Sequence, residues 1–150
     1  MSSIVTKPGL AAFFEQEHHD CNARWADVEE LLATNDIETA RPAWVKFDAS
    51  LRKHIAMEEE VIFPAFEAAS GTGDEDSTEM MRMEHQQMVR LLEVIGKAVD
   101  TGGTEEAMDA GDQLLILIQQ HNAAEEVFYP RAENLLGPDW ADPASMLEKH

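Results

Sequence analysis

The sequence has one cysteine, few basic residues and no long apolar run. Cys21 is the single cysteine, which excludes an intrachain disulfide and favours a reducing, cytoplasmic location. The first ten residues, MSSIVTKPGL, contain no apolar segment of the length that a secretory leader needs, and no stretch of the chain could span a bilayer. The sequence therefore predicts a soluble protein, with one domain over residues 1–150 that is large enough for its own core.

Positive charge is scarce in this chain. The 11 Lys and Arg residues face 30 Asp and Glu residues, so that the formal net charge is −19. Such a surface repels phosphate backbones and anionic lipid headgroups, which excludes nucleic acid and membrane surfaces as partners. This general acidity is typical of a solubilising surface and is not itself a metal site.

Apolar residues recur at helical spacing along the whole chain, and no segment alternates as a strand would. Turn residues divide this pattern into four long helices: from about Pro8 to Ala33, from Arg41-Pro42 to Pro64, from Asp76 or Ser77 to Thr101, and from Thr104 to an end perturbed by Pro130. A loop is predicted from Ser70 to Asp76, and Asp142-Pro143 could open a short C-terminal helix. The sequence thus predicts an all-α protein, an antiparallel up-down four-helix bundle.

One pattern of candidate metal ligands occurs twice, 67 residues apart. His18 precedes His54 by 36 residues, as His85 precedes His121, and a glutamate follows each second histidine after four residues. Residues four apart are neighbours on one helix face, so that each His-Glu pair can reach one metal. A histidine with only a structural role does not require a second histidine at a fixed interval with a glutamate four residues after it. The pattern therefore predicts a two-metal site. The candidate ligands are His18, His54, Glu58, His85, His121 and Glu125.

The composition of this site favours metal over a bare polar core. Two ionised glutamates inside an apolar bundle would each be strongly destabilising without partners, and metal charge offsets this effect. Two imidazoles and two carboxylate oxygens for each ion leave coordination positions open, which suits redox iron. Manganese and zinc also accept such ligands.

Four other residues allow two interpretations each. His19 is the alternative to His18, but it lies off the apolar stripe and breaks the 36-residue spacing. Glu59 and Glu126, which repeat at the same 67-residue offset, either orient a ligand histidine or are partly solvated carboxylates. Tyr129 either places a phenol near the metals or packs at a bundle end.

Four segments resemble the hemerythrin-like HHE cation-binding domain family. They are EHHD at 17–20, HIAMEEEVIFP at 54–64, EHQQMVRLL at 84–92 and HNAAEEVFYP at 121–130. The resemblance extends over nearly the whole chain and implies a four-helix bundle with a non-haem di-iron centre, whose two iron ions are oxo- or hydroxo-bridged. It implies that His18, His54, His85 and His121 are terminal ligands and that Glu58 and Glu125 are bridging carboxylates.

Two positions depart from the oxygen-carrying hemerythrins, which carry an aspartate five residues after the fourth-helix histidine, where this chain has Glu126. They have a fifth histidine four residues after the third-helix histidine, where this chain has Val89. The remaining pattern is similar to that of HHE proteins linked to iron sensing, nitric-oxide response and iron-sulfur repair. The resemblance therefore implies a di-iron protein that binds or senses O2, NO or iron, with peroxide as a further small ligand. The alternative is a di-iron enzyme with peroxidase or catalase-like activity, or with nitric-oxide or iron-sulfur-repair activity.

Overall fold

Helices account for all regular structure in the computed structural model, which describes residues 9–70 and 75–137 except for the side chains of residues 75–77. The elements are α1 (Leu10–Ala33), α2 (Ile37–Met57), a π-helical turn (Glu58–Ile62), α3 (Phe63–Ser70), α4 (Glu75–Thr101) and α5 (Thr104–Leu136). Because α2, the π turn and α3 are continuous, the described residues form four long helices. The predicted all-α bundle is confirmed, and the predicted C-terminal helix lies outside the described residues. None of the described helices is both long and apolar enough to cross a membrane.

The start of α2 is set by Asp36 rather than by a proline. The Asp36 side chain accepts a hydrogen bond from the Thr39 backbone N–H at 3.3 Å, as an N-cap residue does. The helix therefore begins at Ile37, and the predicted start at Arg41-Pro42 is wrong. Proline is tolerated at this place because its missing donor affects a single carbonyl near the beginning of the helix.

Two further predicted helix ends differ from the structure. α4 already includes Glu75, so that Asp76 and Ser77 lie inside it and do not cap it. α5 continues through Pro130 to Leu136. The proline lies on the exposed side of α5, and the buried residues on the opposite side keep the helix packed beyond it. The predicted stop of α4 at Thr101 is confirmed, and Gly102 follows it with a φ of 77° that favours glycine.

The π-helical turn absorbs one extra residue in the first half of the repeat. Glu58 and Pro64 are six positions apart, whereas Glu125 and Pro130 are five positions apart. A π turn contains one residue more than an α turn, and the Phe63 N–H bonds to the Glu58 carbonyl across it. The aromatic residue before each proline thereby stays on the buried face in both halves. The helix widens before Pro64 and continues, although the sequence predicted a kink or an end there.

The core consists of two apolar clusters, and the candidate ligands lie between them along the helices. One cluster contains Trp25, Trp44, Phe47 and Leu92, and the other contains Phe14, Phe63, Phe66 and Phe128. On α1, for example, His18 lies between Phe14 of one cluster and Cys21 of the other. Burial of each large apolar side chain contributes about 1.5–3 kcal/mol. The segment of each helix that carries a candidate ligand is therefore held by packing on both sides.

Helices α1 and α5 approach each other closely at Gly111. A Cβ added to Gly111 would lie 2.2 Å from Trp25 Cζ2. The Trp25 side chain is 4% exposed and contacts the rings of Trp44 and Phe47, at centroid distances of 6.5 and 5.2 Å. Because this indole is enclosed, it has little room to move away from a larger residue.

We expect Gly111→Ala to lower the free energy of unfolding by about 1–2 kcal/mol, because overpacking against Trp25 outweighs the better helix propensity of alanine. The matched control is Gly96→Ala in α4, where the added Cβ would lie 3.4 Å from Trp44 Nε1. This control should leave stability unchanged or raise it. Urea unfolding compares both variants with the wild type, and a Gly111→Ala variant of wild-type stability would contradict the packing argument.

Candidate metal centre

The six candidate ligands of the two repeat halves meet in the middle of the bundle. The histidines come one each from α1, α2, α4 and α5, and the glutamates come from the π turn and from α5. His18 is the partly exposed member, with 17% of its side chain accessible, and the other five residues are buried. The structure thus brings together all six predicted residues, namely His18, His54, Glu58, His85, His121 and Glu125.

The ligand atoms fall into two groups that could each hold a metal ion. We call them the open group (His18, His54 and Glu125) and the closed group (Glu58, His85 and His121); in each, the ligand atoms lie within 4.8 Å of one another. The three residues of the closed group are all buried, whereas the open group includes the partly exposed His18. Each group combines residues from both halves of the repeat.

Glu58 lies between imidazoles of both groups. Its Oε1 is 2.9 Å from His85 Nε2 and 3.2 Å from His54 Nε2. Burial alone would raise the pKa of Glu58, but the charge of His54 and hydrogen bonds from the surrounding imidazoles hold this pKa well below its usual value. Burial likewise acts to lower the pKa of His54, but Glu58 outweighs it and raises that pKa. An ionised carboxylate between two imidazoles of different groups is what a bridging ligand requires.

Glu125 has the equivalent position on the other side. Its Oε1 lies 2.5 Å from His18 Nε2 and 3.6 Å from His54 Nε2, and its Oε2 lies 3.1 Å from His121 Nε2. The last contact does not have hydrogen-bond geometry, so that Oε2 is a buried polar atom without a hydrogen-bond partner among the described residues. A cation would satisfy this oxygen, and the donor set therefore fits a metal.

The imidazole of His18 is neutral near pH 7. Burial lowers the pKa of His18 to about 4, and the charge of His54 acts in the same direction. The charge of Glu58 acts to raise this pKa, but burial is the larger effect. The neutral form is the one that binds a metal ion.

Two carboxylates outside the ligand set contact the histidines of the closed group. Glu59 Oε2 lies 2.6 Å from His85 Nδ1, and Glu84 Oε1 lies 2.8 Å from His121 Nδ1. Of the two interpretations of Glu59, the orienting partner is therefore the one that the structure favours. Sequence reasoning assigned no role to Glu84. The available signal was that Glu84 and Glu17 both directly precede a candidate histidine, at the same 67-residue offset.

The phenol of Tyr129 contacts the site directly. Its hydroxyl donates a short hydrogen bond to Glu58 Oε2, and its ring stacks on Phe14 with centroids 4.2 Å apart. Burial, together with the charge of Glu58 and this hydrogen bond, raises the pKa of Tyr129 well above its usual value. The phenol therefore stays protonated and fixes one oxygen of the carboxylate.

The neighbours of His18 on α1 do not join the ligand groups. His19 is exposed, so that His18 and not His19 reaches the other candidate ligands. Cys21 is buried, and burial raises the pKa of its thiol. Within residues 9–70 and 75–137, Cys21 belongs to neither ligand group.

A cavity of about 310 Å³ reaches the open group from the side of α1 and α5. His18, Glu125 and Tyr129 form its inner wall, and the exposed residues Glu15 and Glu126 lie at its outer part. Small molecules can therefore approach the open group more easily than the buried closed group.

Comparison with known proteins agrees with this geometry. The family model described as the hemerythrin HHE cation binding domain matches residues 9–132, a range that includes all six candidate ligands. Searches of curated proteins and of solved structures found no match. Since the family model covers most of the chain, the protein belongs to the hemerythrin HHE cation-binding domain family.

Proposed function

We propose that this protein is a non-haem di-iron protein that binds or senses O2, NO or iron. The observation that carries the proposal is the burial of two glutamates among four imidazoles, in two groups that each suit one ion. The terminal ligands are His18, His54, His85 and His121, and the bridging ligands are Glu58 and Glu125. The proposal includes one domain over residues 1–150, an antiparallel up-down order of the four helices and a cytoplasmic location.

The chemistry of the donors supports iron as the metal. Imidazole nitrogens and carboxylate oxygens in one site suit iron, and the two groups provide few enough donors to leave coordination positions open. When bound, iron supplies redox chemistry and a position for a small external ligand. The protein side chains hold the ions, exclude bulk water and, through Tyr129, keep a proton on the phenol next to Glu58 Oε2.

The cavity beside the open group supports a small ligand of low charge. Phe14 and Tyr129 give it apolar walls, whereas Glu15 and Glu126 place negative charge at its outer part. These carboxylates disfavour anions, and the net charge of −19 acts in the same direction. Uncharged diatomic molecules and peroxide fit these conditions.

A second candidate function is a di-iron enzyme that handles peroxide or nitric oxide, with peroxidase or catalase-like activity or a role in iron-sulfur repair. The observation that favours it is the Tyr129 hydroxyl, which donates to Glu58. Because this phenol keeps its proton, its hydroxyl can stabilise negative charge that develops at the ligand carboxylate during turnover, whereas simple binding does not require such a donor.

Metal removal should destabilise the fold. Without a cation, Glu58 and Glu125 lie buried against imidazoles, and Glu58 also accepts from the Tyr129 hydroxyl. Bound metal therefore stabilises the native state through linkage. We expect saturating Fe²⁺, under anaerobic conditions, to raise the thermal midpoint by about 5–10 °C over chelator-treated protein. Differential scanning calorimetry measures this difference, and equal midpoints would refute the metal proposal.

The ligand assignment is tested by alanine substitution. His54→Ala and His121→Ala should each lose at least one bound ion per chain and lower the thermal midpoint, because each removes a buried ligand. The matched control is His19→Ala, which removes an exposed imidazole from the same helix as His18 and should keep both ions. Metal content after desalting gives the answer, and full retention in His54→Ala would refute the assignment.

Binding and turnover are distinguished by optical spectra of the reduced, iron-loaded protein as O2 is admitted. A long-lived charge-transfer band that disappears under vacuum would support reversible binding. Rapid and irreversible conversion to a diferric spectrum, followed by peroxide turnover in a steady-state assay, would support the enzyme. Tyr129→Phe keeps the ring and removes the hydroxyl, so it should slow turnover and leave reversible binding intact.

A further inference from the structure

We propose that the two metal positions are unequal, and that Glu59 and Glu84 are positioning residues through which the closed group retains its ion more firmly than the open group does. This inference rests on the proposed function and concerns how the same site is regulated. The ion of the open group would follow the supply of metal in solution. The ion of the closed group would remain bound and keep the bundle folded.

The first observation is the pair of carboxylates behind the closed group. His85 and His121 direct Nε2 toward the ligand oxygens, and their other ring nitrogens lie 2.6 Å from Glu59 and 2.8 Å from Glu84. A histidine that binds metal through Nε2 carries its proton on Nδ1 and donates it there. Such a hydrogen bond fixes the ring orientation and raises the basicity of the coordinating nitrogen.

The second observation is that the repeat offers the same residues to the open group, but the structure does not use them in this way. Through the 67-residue offset, Glu126 is the counterpart of Glu59, and Glu17 is the counterpart of Glu84. Among the described residues, the ring nitrogens of His18 and His54 lie within 4.0 Å of no carboxylate except the ligands Glu58 and Glu125. The carboxylates behind the closed group are thus hydrogen-bonded to its histidines, whereas, in the part of the chain that the structure describes, their repeat counterparts Glu126 and Glu17 are not hydrogen-bonded to the histidines of the open group.

The third observation is the difference in packing and access. The side chains of His85 and His121 are 1% and 2% exposed, and the ring of Phe63 lies parallel to His85 with centroids 5.7 Å apart. His18 is 17% exposed and lines the cavity between α1 and α5. Water or a competing ligand can reach the open group, whereas an ion in the closed group is enclosed by packed rings.

The test is the release of metal from protein loaded anaerobically with Co²⁺, followed by transfer to a chromogenic chelator. We expect two phases of equal amplitude, one ion per chain each, with rates at least about tenfold apart. His18→Ala should remove the fast phase and keep the slow one. Glu59→Gln and Glu84→Gln should each speed the slow phase by about 10–100-fold and leave the fast phase nearly unchanged.

The matched controls are Glu126→Gln and Glu17→Gln, which make the same chemical change at the repeat counterparts. Both should leave the slow phase at its wild-type rate. A general loss of stability would speed both phases together, so acceleration of the slow phase alone identifies a positioning role. Circular dichroism verifies that each variant is folded, and biphasic release by the wild type tests the inequality without any substitution.

Two results would overturn this inference. One is release of both ions in a single phase by the wild type, and the other is an equal effect of the control substitutions on the slow phase. Either result leaves the two-metal proposal intact, because two ions were bound. Binding of fewer than two ions by the wild type would instead contradict the proposed function itself, which makes the two failures distinguishable.

Discussion

The carboxylates of Glu58 and Glu125 lie in the middle of the bundle with 0% and 1% exposure, and the rest of the structure depends on how their charge is balanced. A buried carboxylate without partners destabilises a fold strongly, because it loses its hydration and no hydrogen-bond donor takes the place of the lost water. The four surrounding imidazoles supply part of this balance, and a cation would supply the rest. The two apolar clusters on either side of the ligands exclude water. They thereby increase both the destabilisation by unbalanced charge and the stabilisation by a bound ion.

The ligand set is nearly symmetric, but its surroundings are not. The π turn lets Phe63 take the position before a proline that Tyr129 takes in the second half. Tyr129 donates a hydrogen bond to Glu58, whereas phenylalanine has no hydroxyl to donate, and Glu125 Oε2 has no hydrogen-bond partner among the described residues. The repeat therefore supplies two similar half-sites, and single-residue differences around them make the two ion positions chemically distinct. A duplicated ligand pattern is compatible with a division of roles between two ions.

Two helix boundaries and one exposed side chain differ from what the local sequence pattern suggests. The proline at Arg41-Pro42 suggested a helix start, but Asp36 provides a better cap a turn and a half earlier, and α2 accepts the proline inside it. Pro130 suggested a helix end, but the buried face of α5 extends past it to Ala132. Val45 is apolar, yet it is 63% exposed, since Trp44 and Phe47 occupy the inward positions. At Asp36 a better cap decided the helix start, and in the other two cases the burial of large side chains outweighed a weaker local preference.

The sequence alone determined the helical class and the six candidate ligands. Spacing of four residues puts histidine and glutamate on one helix face. The repeated 36-residue interval is a property of the sequence itself and does not depend on packing. Tertiary structure alone decided how those residues divide into an open and a closed group, and it alone brought Glu59, Glu84 and Tyr129 to their partners. These contacts join residues 26, 37 and 71 positions apart. The relative position of two helix faces depends on how all their side chains pack, and helical periodicity carries no record of it.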